Sequence, residues 1–132
     1  MIRRIKLPDL YQAPGYHHAT IADATQFVFL SGQSPLNARG NLIGAGNLRA
    51  QTRQVARNIA TALAAVGATA EDVVHTVIYV ASADHGDLAE VSLMLRESAV
   101  AAAFSSASTL LGVAQLGHPG QLVEVDVTAA LT

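Results

Sequence analysis

The amino-acid sequence predicts an α+β fold, one mixed β-sheet with two helices packed on one of its faces. Three observations carry that expectation. Short β-like runs alternate with helical stretches in the order β, β, β, α, β, α, β, β, a pattern that segregates helices to one side of a sheet. Two stretches, starting near Leu48 and Asp87, repeat apolar residues at helical spacing. Two of the strand-like runs, FVFL (27–30) and HTVIYVA (75–81), are apolar on both faces. Two helices cover only one face, so the other face needs a separate cover.

Taken in order, IRRIKL (2–7) alternates roughly and reads as a first strand. Pro8 and Pro14 bracket a loop. YHHATI (Tyr16–Ile21) and Gln26–Leu30 read as a hairpin joined through ADAT, with FVFL as a central strand. Ser31-Gly32-Gln33-Ser34-Pro35 breaks that strand, and NARGN (37–41) is a turn in which Gly40 can take positive φ. Leu48, Thr52, Val55, Ile59, Leu63 and Val66 form the buried stripe of the first helix, with Asn47 as N-cap and Gly67 just past its end. Arg49, Arg53 and Arg57 make one basic stripe, read as a solvated face. Thr69–Asp72 resembles a capped turn ahead of the strand His75–Ala81. The second helix is expected from about Asp87 to Ala102, capped by Ser82 or Asp84. It would bury Leu88, Val91, Leu95, Ala99 and Ala102 and leave Arg96 among exposed residues. Ser106–Ala130 reads as two β runs joined in a hairpin at LGHPGQ (116–121).

Composition bounds the function. The 132 residues fit a single domain spanning 1–132, and 51% are hydrophobic, ample for a core. That core is rich in Ala and Val, which bury little area each, and one sheet face lacks a cover. Both point to a homo-oligomer packed sheet against sheet. The chain has no cysteine, so disulfides, thiolate nucleophiles and cysteine metal sites are excluded. Its five histidines form no H-x-x-x-H or H-E-x-x-H pattern, and no metal site is expected. MIRRIKLPDLY carries no apolar run of a secretory signal, and no stretch approaches the roughly 18 apolar residues of a membrane span. A soluble cytoplasmic protein without membrane contact is expected. Seven of eight basic residues lie at or before Arg57 and eight of ten acidic ones at or after Glu71, for a net charge of −2. In one folded domain these halves interleave, which argues against a nucleic-acid surface.

Chemistry-bearing residues concentrate in QLVEVDVTA (121–129). Glu124, Asp126 and Thr128 share one face of that strand, and Val123, Val125, Val127 and Ala129 the other. Acidic residues are poor strand formers, so two in a valine-rich strand ask for a reason. Near an interface either could be a general acid or base; otherwise both are rim carboxylates. Ser31, after an apolar strand, is a candidate ligand hydroxyl, with Gly32 allowing close backbone approach.

PGYHHA (Pro14–Ala19), VFLSGQSPLN (Val28–Asn37), the helix near Gln51–Ile59, Val66-Gly67 with DVVHTVIYV, and VAQL with LVEVDVTA (Val113–Ala129) fall into one pattern. Together they resemble the RidA/YjgF family, the reactive-intermediate deaminases, also known under the older label L-PSP endoribonucleases. The resemblance implies a chorismate-mutase-like fold and a homotrimer, with small-molecule clefts between subunits and no cofactor. Deaminating members hydrolyse 2-imino acids to 2-oxo acids and ammonia. By resemblance Glu124 is the catalytic, water-positioning residue, while Tyr16, Ser31 and Gly32 border the cleft. Ser92 stands in place of an asparagine. Ser108, next to Thr109, stands where the family's carboxylate-binding arginine belongs. Serine offers one neutral hydrogen bond in place of a bidentate ion pair, a loss of roughly 10²-fold or more in binding or rate. The expected function is therefore hydrolysis of a reactive imine or enamine in an intersubunit cleft contacted by Tyr16, Ser31, Gly32, Ser92, Ser108 and Thr109. Ordinary 2-imino acid deamination is disfavoured. A non-catalytic metabolite-binding trimer is the alternative, and RNA cleavage is a weaker one.

Overall fold

The computed structural model describes residues Met1–Thr132. Its strands are β1 (Ile2–Ile5), β2 (Ala19–Ala22), β3 (Gln26–Phe29), β4 (Val73–Val80), β5 (Ala107–Gly112) and β6 (Val123–Leu131). Its helices are α1 (Leu48–Ala65) and α2 (His85–Arg96). Four strands form a mixed sheet in the order β3-β6-β4-β5, with β4 and β5 parallel and the other pairs antiparallel. Both helices pack on one face of it, as the sequence predicts: α1 against β6, α2 against β4 and β5.

α1 forms where expected. Asn47 Oδ1 accepts from the Ala50 N–H at 3.0 Å, satisfying one orphan donor of the first turn. Gly67 takes the positive φ of +78° that a helix C′ position favours. Val55, Ile59 and Leu63 meet Val91 and Leu95 of α2 and Val123, Val125 and Val127 of β6 in one buried cluster.

The strand pairings differ from the sequence reading in three places. β2 does not pair with β3; it turns back onto β1 as a separate two-stranded ribbon. His18 makes that return possible. Its Nδ1 accepts from the Leu7 N–H at 2.9 Å and its Nε2 donates to the Tyr11 carbonyl at 2.7 Å, tying down the intervening loop. β3 is an edge strand rather than a central one, and Phe27 and Phe29 stand exposed on the face away from the helices. β5 and β6 are not a hairpin. Strand β4, helix α2 and strand β5 form a crossover unit, which makes β4 and β5 parallel. The chain then passes to the other side of β4. Buried Gln51 of α1 anchors this passage, donating to the carbonyls of Gly44 and Gly120 and accepting from the Leu122 N–H at 2.8 Å.

The second helix starts at His85 behind an Asp84 cap, with Asp84 Oδ1 accepting from the Gly86 N–H at 2.8 Å, and it ends at Arg96 instead of Ala102. Ser98 is the cause. Its hydroxyl donates to the Leu95 carbonyl at 2.7 Å and accepts from the Val100 N–H at 3.2 Å, an alternative to the helical ladder. A 3₁₀ turn (Ala101–Ser105) then buries Ala103 and Phe104 in place of the expected Ala99 and Ala102.

Candidate functional site

Alternation along the strands sorts the candidate residues into two groups on opposite faces of the sheet. Ile78 pairs with Val125 and Thr76 with Val127, and all four side chains are buried on the helix side. Tyr79 and Val77 are partners of Glu124 and Asp126, so both carboxylates point to the open face.

On the open face, backbone bonds between Gln33 and Val125 fasten the Ser31–Ser34 segment across β6, with N–H to O distances of 2.8 and 3.1 Å. Asn58 of α1 holds the same loop, its Nδ2 donating to the carbonyls of Ser34 and Leu36 at 2.8 and 2.9 Å. Gly32 therefore lies against Glu124. A Cβ added at Gly32 would stand 2.3 Å from Glu124 Oε2 and 3.2 Å from Asp126 Oδ1. Glu124 Oε1 accepts from Ser34 Oγ at 3.2 Å and from Gln121 Nε2 at 3.1 Å, while Oε2 accepts no hydrogen bond. Tyr79 Oη donates to Asp126 Oδ2 at 3.0 Å. That bond first, then burial and the charges of Asp126 and Glu124, push the phenol above its ordinary value.

On the helix side, Tyr16, Ser92, Ser108 and Arg96 line one cavity of about 460 Å³ together with Pro14, Ile78, Ala89, Phe104 and Leu110. β5 aims Ser108 into it because Ser108 is the register partner of buried Thr76, and the two hydroxyls lie 2.7 Å apart. Tyr16 reaches the cavity from the loop before β2; its carbonyl accepts from Lys6 Nζ, which also donates to the Ala13 carbonyl at 2.7 Å.

Tyr16, Ser92 and Ser108 are thus brought together, as are Ser31, Gly32 and Glu124. Thr109 alternates to the open face and is exposed, apart from Ser108. Arg96, expected on an exposed face, is half-buried and lines the helix-side cavity. Sequence reasoning also passed over Gln121 and Ser34. The signal was faint: a glutamine at the very start of a strand and the serine following SGQ. No group of three or more His, Asp or Glu side chains is placed to hold a metal ion, and no helix is long and apolar enough to cross a membrane.

The fold is that of a two-helix α+β protein with a hydroxyl-lined cavity on one sheet face and a hydrogen-bonded carboxylate on the other. The comparisons identify its family. A family model described as Endoribonuclease L-PSP matches residues 9–131, and the chain belongs to that family, the RidA/YjgF proteins. The crystal structure of YyfB from Yersinia pestis, a protein of unknown function of the conserved Rid family, is 31% identical, with 98% of each chain covered and a TM-score of 0.87. YyfA of the same organism, also a Rid protein, is 28% identical over 99% of this chain and 100% of its own, with a TM-score of 0.68. RutC family protein PH0854 from Pyrococcus horikoshii is 34% identical over 74 residues, 56% of this chain and 57% of that relative.

Proposed function

We propose that this protein hydrolyses a reactive imine or enamine to a carbonyl compound and ammonia, in a cleft shared between subunits of a homotrimer. The single observation that carries the reading is Glu124. One carboxylate oxygen is fixed by Ser34 and Gln121, and the other lies free against the Gly32 backbone. A carboxylate so oriented can hold a water molecule and take its proton.

The reaction balances without a cofactor. Water oxygen bonds to the imine carbon, one water proton passes to Glu124 and the imine nitrogen takes up a proton. The resulting carbinolamine expels ammonia as the C–N bond breaks and the carbonyl forms, its hydroxyl proton passing to Glu124 while the proton that Glu124 took from water passes to the departing nitrogen. Tyr16, Ser92 and Ser108 would contact the ligand from one subunit. Ser31, Gly32 and Glu124 would contact it from the next. The opposite-face placement supports this division, because two groups separated by a sheet in one chain meet around one ligand only across a subunit boundary. Thr109, on the open face, would join the second group.

The test is a coupled assay with enzymatically generated 2-iminobutanoate and related imines. Wild type is expected to release ammonia from at least one of these imines above the spontaneous rate, and Glu124→Gln to lose at least about 10²-fold in kcat on it. A Glu124→Gln variant as fast as wild type overturns the mechanism. Binding without turnover in wild type points instead to the metabolite-binding trimer.

A further inference from the structure

We propose that Arg96, carried by α2, is the anion anchor of the helix-side cavity, so that the ligand taken there is a small acid bound through its carboxylate. The inference rests on reading that cavity as a ligand site and adds the class of ligand.

Four observations converge on Arg96. First, it follows Ser92 by one helical turn, so both side chains rise from the same side of α2 into the cavity that Ser108 lines. Second, its guanidinium is short of acceptors. Nη1 donates to the Pro14 carbonyl over a long 3.4 Å, and Nε is buried with no partner. The ion pair in the structure is Arg49 with Glu90, so no protein carboxylate neutralises Arg96. A buried guanidinium N–H without an acceptor is costly, and a ligand carboxylate is the group whose paired oxygens fit a guanidinium fork.

Third, Gly15 holds the arginine in place. Gly15 has φ of +99°, and a Cβ there would lie 2.3 Å from Arg96 Nη1 and 2.6 Å from its Cδ. The loop can rest on the guanidinium stem only because that residue is glycine. Fourth, the rest of the lining suits a short acid. Tyr16, Ser92 and Ser108 supply hydroxyls, Ile78, Phe104 and Leu110 supply an apolar wall, and the 460 Å³ volume is in the range of small-molecule sites. Ser108 is bonded to Thr76 and brings no charge of its own, so Arg96 is the cation among the lining residues.

The experiment is calorimetric binding of 2-oxobutanoate and of its uncharged amide to wild type, Arg96→Met and Arg96→Lys. Wild type is expected to bind the acid in preference to the amide. Arg96→Met should weaken the acid roughly 10-fold or more while keeping the amide within about twofold, which also shows that the cavity remains folded. Should Arg96→Met lose both probes, Arg96→Lys decides, since it keeps the charge: it should still favour the acid. The proposal is overturned if neither probe binds wild type. It is equally overturned if Arg96→Met binds the acid like wild type, or if Arg96→Lys shows no preference for it. Turnover separates the two readings. Arg96-dependent acid binding without ammonia release leaves the anchor standing and removes the hydrolase. Ammonia release indifferent to Arg96→Met does the reverse.

Discussion

Gly32 shows how little a single position can change. A methyl group there would enter the space of Glu124 Oε2 at 2.3 Å and Cδ at 2.8 Å, closer than real Cβ contacts come. The loop cannot lift away freely, because Gln33 is bonded to Val125 and Asn58 grips Ser34 and Leu36. In Gly32→Ala the carboxylate must therefore swing off Ser34 and Gln121. We expect kcat for imine hydrolysis to fall at least about 10-fold while circular dichroism and Tm stay near wild type, since the change sits on the open face. Unchanged kcat would mean that the position of Glu124 does not govern the reaction. Ser108 and Arg96 make the complementary point. Ser108 brings no charge to the helix-side cavity, whereas Arg96 lines the same cavity from α2. The helix-borne arginine beside it becomes visible once α2 is docked on β5.

At the scale of elements, β4 and β6 are joined across the open face by the hydrogen bond from Tyr79 to Asp126. That bond, then burial and the neighbouring carboxylates, raise the phenol's proton affinity in the folded state. The neutral phenol is the form that stabilises the fold. Its contribution is complete below the unfolded tyrosine value of about 10 and fades as pH climbs through the raised one. Urea midpoints measured from pH 8 to pH 11.5 should decline more steeply above about pH 10 in wild type than in Tyr79→Phe, with Tyr79→Phe the less stable at pH 8. Parallel slopes would dissociate this pair from alkaline stability. Helix α1 was legible in the sequence because its cap, its apolar period and its terminal glycine are all local. The pairing of β6 was not. A loop containing His118-Pro119-Gly120 between two β runs looks like a hairpin connection, and nothing local announces that β4 will lie between them. The pattern Val123, Val125, Val127 did assign the faces correctly, so Glu124 and Asp126 were legible as open-face carboxylates, while the hydrogen-bond partners of Glu124, Ser34 and Gln121, were not. Ser34 comes from a remote segment that only the folded sheet brings to Glu124, and Gln121, three residues before it, lies ahead of β6, where strand alternation says nothing of its direction. The end of α2 was hidden for a similar reason, since Ser98 terminates a helix whose apolar period continues past it.

For the whole molecule, the open face is the deciding feature. Phe27 is 55% exposed and Phe29 77%, beside half-buried Val77 and exposed Leu111. A face of that kind, carrying half of the candidate site, is expected to meet another copy. If the proposed trimer forms through this face, Phe29→Lys should lower the solution mass toward that of a monomer in light scattering, and lose turnover with it. A trimeric, active Phe29→Lys would place the interface elsewhere. The same geometry makes mixed assemblies informative. Chains carrying Glu124→Gln, refolded with an equal amount of Arg96→Met chains, should regain about a quarter of wild-type turnover. That is the fraction of boundaries where two intact halves meet by chance. No recovery would mean that both halves serve a ligand from the same chain.

The position of β6 between β3 and β4 has a consequence for how this protein comes into being. A ribosome makes Val123–Leu131 after every other strand, yet that segment supplies both ladders that join β3 to the remainder of the sheet. Until it emerges, the valines that α1 is shaped to cover do not exist, and β3 and β4 expose unpaired edges. The four-stranded sheet therefore closes only when its last strand arrives, and until then β3 and β4 carry unpaired edges of the kind that invite association between chains.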